Sequence, residues 1–152
     1  MICDTTTITD NVYTIRNDQV IREALETELS CKSLDHLYGD SKRITTTSPN
    51  KYENTNVDTT VLYHIDCDSV IYLSSKPNCF PLHLSIQSQR ISFDNGAIKV
   101  GMTKAMFAEK YGEKKNIPDI IKISEMEGAN ELILFFSGGF LRKIIYNNLY
   151  VE

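Results

Sequence analysis

The run His64-Ile65-Asp66-Cys67-Asp68 is the densest group of chemically able side chains in this sequence. Imidazole and carboxylate are reasonable ligands for a first-row metal. On a strand His64 and Asp66 project to one face, with Asp68 just past a turn. A working site would need more donors, and only the fold can bring His36 or His83 near. His64, Asp66 and Asp68 are therefore a sparse candidate metal site. A hairpin turn that uses aspartate to bond neighbouring backbone accounts for the same residues. Thiolate catalysis finds less support. Cys31 and His36 have no spacing that makes them meet, and Cys67 lies among Asp66 and Asp68, which oppose thiolate formation. Glu125 and Glu127 read as a solvated loop edge, and neither Ser85 nor Ser137 sits in a Gly-x-Ser-x-Gly elbow. No catalytic residue, no bound metal and no cofactor is expected, and the chain reads as a non-enzyme.

Binding chemistry is better represented. Eight tyrosines stand against no tryptophan, and tyrosine joins a flat apolar body to a polar tip. Tyr63 and Tyr72, with Tyr146 and Tyr150 near the C-terminus, could form an exposed face for a glycan or small ligand, or could be half-buried strand residues. The four cysteines contain no Cys-x-x-Cys, which removes zinc-ribbon and thioredoxin readings. Cys67 and Cys79 could close a short loop, while Cys31 on a helix reads as a small buried apolar residue. Cys3 stands almost at the start of the chain, before a polar, Thr-rich stretch. A mature bacterial lipoprotein begins this way, so Cys3 is the candidate lipid attachment point; the alternative is a free thiol on a frayed terminus.

The elements that must carry these residues are legible in outline. Residues 1–10 read as a flexible tether. "NDQVIREALETEL" spaces Ile21, Leu25 and Leu29 as one helical stripe, and Ser30 starts a second short helix that Gly39 ends. Residues 40–58 are polar and read as a loop. "TTVLYHI" and "SVIYLSS" form a hairpin about "DCD", and residues 82–93 read as a half-buried strand. In "GAIKVGMTKAMFAEKYG", Gly101 lets the chain turn, Met102 packs beneath the helix, Thr103 caps it and Gly112 ends it. A loop over 113–130 precedes a C-terminal hairpin built from "ELILFF" and "FLRKIIYNNLYV".

Aligning Tyr38-Gly39 with Tyr111-Gly112 superimposes cap, helix, stop, loop and hairpin, which suggests a duplication. The expected fold is α+β, an antiparallel sheet with short helices packed on one face, which the duplication would divide into two tandem α-α-β-β repeats over residues 11–93 and 94–152. The two halves could equally form one compact domain. Formal net charge is −4 and no basic run exceeds a Lys-Lys pair, so neither nucleic acid nor an anionic membrane surface is an expected partner. No apolar run approaches the roughly 20 residues of a membrane-spanning helix.

The second half, residues 96–147, resembles the small outer-membrane lipoprotein of the β-barrel assembly machinery and the wider fold group that includes the β-lactamase inhibitor protein. The carriers are Ile98, Gly101, Met102, Thr103, Phe107, Gly112, Leu134, Phe136, Gly139, Leu141 and Ile144. The chain departs from that pattern in lacking a proline after the helix-ending glycine and in having Ser-Cys-Lys-Ser in place of Gly-Met-Thr in its first half. The resemblance implies a non-enzymatic protein of the bacterial envelope, periplasmic or anchored to the outer membrane, that binds or scaffolds another envelope protein.

Overall fold

A computed structural model describes residues 2–8, 11–50, 57–112 and 116–150. The remaining parts of the expected tether and of the 40–58 and 113–130 loops lie outside the described residues. In chain order the elements are β1 (Val12–Arg16), α1 (Asp18–Glu26), α2 (Cys31–Tyr38), β2 (Lys42–Pro49), β3 (Val57–Ile65), β4 (Asp68–Ser75), β5 (Asn78–Ile86), α3 (Lys104–Lys110), β6 (Ile120–Ser124), β7 (Asn130–Ser137) and β8 (Phe140–Asn148). The strands form one eight-stranded sheet in the order β1-β6-β7-β8-β5-β4-β3-β2. Every pairing is antiparallel except β1 on β6. The fold is thus α+β.

Strand alternation builds the core. Val61, Tyr63, Val70, Tyr72, Leu84, Ile86, Ile144, Tyr146, Leu132, Leu134, Ile121 and Ile123 belong to one buried cluster. Ile21 and Ala24 of α1, Leu34 and Tyr38 of α2 and Phe107 of α3 join the same cluster, so the helices cover that face. Ile120, Ile133 and Phe135 form a smaller buried group of their own. Their immediate neighbours Ile121 and Leu134 belong to the main cluster, so these strands are apolar on both faces, and the run from Leu132 to Phe136 is unbroken for that reason.

Each helix starts on a side-chain cap. Asn17 Oδ1 accepts from Val20 N at 3.1 Å, Ser30 Oγ from Ser33 N at 3.2 Å and Thr103 Oγ1 from Met106 N at 3.1 Å. Gly101 (φ 98°) turns the chain into α3. Its N–H donates to Leu141 O, and Leu141 N donates to Met102 O, both at 2.8 Å. The glycine-methionine-threonine step is therefore stitched to β8 while Met102 is buried.

Several expectations are revised. Residues 42–49 of the polar loop are strand β2, and "IIKIS" within the second loop is strand β6. The half-buried strand over 82–93 stops at Ile86. Among the described residues the first half, 11–93, holds two helices and five strands and the second, 94–152, one helix and three strands, so neither is an α-α-β-β unit. The two Tyr-Gly steps also differ: Gly39 has φ −59°, whereas Gly112 is left-handed at 68°.

All four cysteines are paired, Cys3 with Cys67 and Cys31 with Cys79. The Cys3 sulfur is consumed by its bond to Cys67 and so cannot carry the expected lipid thioether. Cys31 is a partner, where a lone buried apolar residue was expected, and it ties α2 to β5. Two such bonds belong to a chain that folds in an oxidising compartment. Among the described residues no helix is long and apolar enough to cross a membrane.

Candidate functional site

The fold separates the residues that suggested a metal site. His64 is exposed, and Asp66 occupies the β3–β4 turn at φ 53° with a carboxylate oxygen 4.0 Å from Arg90 Nη2. Asp68 lies on the helix-covered face with Val70 and Tyr72 and is fully buried. It accepts hydrogen bonds from Gln87 N (2.7 Å), Ser88 N (3.1 Å), the Tyr38 hydroxyl (3.0 Å) and Ser88 Oγ. Its lone pairs are taken up in joining β4, α2 and the end of β5. His83 Nδ1 instead meets Asn147 Oδ1 at 2.7 Å, and His36 is exposed on α2. Among the described residues no group of three His, Cys, Asp or Glu side chains is placed to hold a metal ion. Glu125 accepts from Asn130 Nδ2 at 2.8 Å.

The four tyrosines do not form a common exposed face. Tyr63, Tyr72 and Tyr146 are buried, and only Tyr150, 70% exposed, stands in solvent. Alternation sends the first three toward the helices. Tyr146 donates to Asn130 Oδ1. Together with Tyr150 it borders a shallow groove of about 300 Å³ lined also by Leu25, Phe80 and Pro81.

Tyr63 and Tyr72 do take part in an organised surface, through their hydroxyl tips. Both donate to Asp35 Oδ1, at 2.6 and 2.8 Å. The Arg43 guanidinium lies 5.9 Å from the centre of the Tyr63 ring, and Tyr38 stacks behind Tyr63 at 6.5 Å. Burial, then the Asp35 carboxylate, pushes the Tyr63 and Tyr72 hydroxyls above the ordinary tyrosine range. A hydrogen bond with the Tyr72 hydroxyl holds Arg43 still more firmly protonated. An anion, a cation and two neutral phenols are thus fixed where α2 meets the sheet edge. Asp35 and Arg43 were not singled out from the sequence. The signal for Asp35 was slight: it falls at i+4 from Cys31, at the border of the stripe that buries Leu34 and Tyr38, and is itself exposed.

Beside this cluster runs β2, the last strand of the sheet. Among the described residues it pairs only with β3, and all eight of its residues are exposed. Asn50 Nδ2 anchors its far end, donating to Asp58 Oδ1 at 2.9 Å and Ser75 Oγ at 3.0 Å. Lys42, Arg43 and Pro49 guard its ends in the way that discourages indiscriminate strand pairing. Between them Ile44-Thr45-Thr46-Thr47-Ser48 carries neither charge nor proline. The opposite edge, β1, is shorter and partly covered.

The arrangement defines an α+β protein of an oxidising compartment with a long, open sheet edge. Comparison with protein families, curated proteins and solved structures brings no match.

Proposed function

We propose that this chain is a non-catalytic protein-binding module that takes an extended segment of a partner onto the free edge of β2. The observation that carries the reading is that every residue of Lys42–Pro49 is exposed, in a strand with one hydrogen-bonding side unpaired among the described residues. Strand addition derives affinity from main-chain bonds and specificity from side chains flanking the edge. Here Arg43, Asp35 and the hydroxyls of Tyr63 and Tyr72 are the flanking groups on the helix side. The burial of Tyr63, Tyr72 and Tyr146 weighs against a glycan-binding tyrosine face. The resemblance of residues 96–147 to envelope proteins supports a bacterial periplasm as the compartment and another envelope protein as the partner.

A photo-crosslinking residue at Thr46, with the same residue at Thr14 of β1 as control, tests the reading in cells that export the chain. The expected result is a discrete crosslinked partner from Thr46, joined through a strand-forming segment, and none from Thr14. Equal products from both sites, or none from Thr46, would remove β2 as the binding edge.

A further inference from the structure

The N-terminal residues, which the sequence presents as a tether, are fastened across the sheet face opposite the helices. Cys3 is bonded to Cys67 in the β3–β4 turn. Asp4 N donates to Gln87 Oε1 at 2.7 Å, and Gln87 Nε2 returns a bond to Asp4 O at 2.9 Å. Lys143 of β8 donates to Thr6 O at 2.6 Å and to Asp4 O at 3.3 Å, with Asp4 Oδ1 at 3.9 Å. The Lys143 side chain is only 6% exposed, and its ammonium lies 4.6 Å from the centre of the Phe135 ring. A buried ammonium needs acceptors, and among the described residues those it has come from residues 4–6. Yet these residues form no regular element. Cys31–Cys79, by contrast, joins a helix to a strand.

We propose that residues 2–8 are a strap latched by Cys3–Cys67, and that reduction of this bond alone releases the strap and uncovers Lys143 over Phe135. The reductant is a dithiol. One thiolate attacks a sulfur of the pair, the other sulfur leaves as a thiolate, and the reductant's second thiol resolves the mixed disulfide. Two electrons pass to the chain, Cys3 and Cys67 become thiols, and the reductant becomes a disulfide. The latch opens before Cys31–Cys79 because one of its ends lies on a segment held by a few polar contacts, while the ends of the other lie in a helix and in a strand paired with β4.

The test is graded reduction of the full chain, with differential alkylation to identify molecules in which only Cys3–Cys67 is open. Amine acylation then reports on Lys143, with exposed Lys32 as reference. Lys143 labelling is expected to rise by roughly tenfold or more in that population, with Lys32 and far-ultraviolet dichroism unchanged. The variant Cys3→Ser/Cys67→Ser is expected to show the same labelling without reductant. Continued protection of Lys143 after the latch is cut, or simultaneous opening of both disulfides with loss of the sheet, would overturn the proposal.

Discussion

At the scale of single residues, burial decides what each polar group does. Asp68 looks like a ligand in the sequence, but it has been spent on structure: two backbone amides and two hydroxyls converge on it. Asp68→Ala leaves those donors without an acceptor. At about 1–3 kcal/mol for each unsatisfied buried donor, partly relieved by water, the expected loss is about 2–4 kcal/mol in urea unfolding. Asp68→Asn, which keeps an acceptor oxygen, loses less. The tyrosines make a second case. Tyr38, Tyr63, Tyr72, Tyr111 and Tyr146 all have their ionisation pushed upward, with burial the largest cause for each. Their unfolded-state value is about 10, so the stabilisation is complete below that pH. It declines as pH rises, because the unfolded chain releases protons that the folded chain retains. Denaturation midpoints should fall with each step in pH above about 10, and the share of tyrosinate absorbance that belongs to these five should appear together with unfolding. Ionisation of all the tyrosines in a chain that stays folded would contradict these placements.

Among the elements, legibility followed packing. The two N-terminal helices, the cap at Thr103 and the two hairpins carry their signals locally, in an apolar stripe, a capping side chain or a glycine, and each forms where the sequence indicates it. The strands that escaped notice are those whose environment does not impose alternation. Thr45-Thr46-Thr47 in β2 shows no period of two because neither face is packed, and Ile120-Ile121 in β6 shows none because both faces are. The exposed edge of β2 was hidden for the same reason: an open edge is a property of the sheet order, which no local pattern encodes. Ile44, 45% exposed near the middle of that edge, allows binding to be separated from folding. Ile44→Lys should change stability by no more than about 0.5 kcal/mol, as for an ordinary surface position. It should also abolish the Thr46 crosslink, because an added charge on an edge strand discourages strand addition. Retained crosslinking at unchanged stability would argue that the partner sits elsewhere.

Across the whole molecule, the two disulfides divide the labour unequally. Their pairing was beyond the sequence because sequence separations of 64 and 48 residues come together only through the tertiary path of the chain. On chain entropy alone the two are nearly equal, each restricting the unfolded chain by about 4 kcal/mol. Their native consequences differ. Cys31–Cys79 joins α2 to β5, so helix α2 and the pairing of Cys79 with Ser74 of β4 hold its ends whether or not the bond exists, and its removal frees chiefly the unfolded state. Removing Cys3–Cys67 also frees residues 2–8 in the folded state, and that recovered freedom offsets part of the loss. Cys31→Ser/Cys79→Ser should therefore lose close to the full value of about 4 kcal/mol. Cys3→Ser/Cys67→Ser should lose clearly less, with a native state that exchanges amides faster around Gln87 and along β8. Urea titrations of the two variants, compared with hydrogen exchange at those positions, measure both sides of that balance. Equal losses with unchanged exchange would mean that residues 2–8 are held as firmly by Lys143 and Gln87 as by the bond itself.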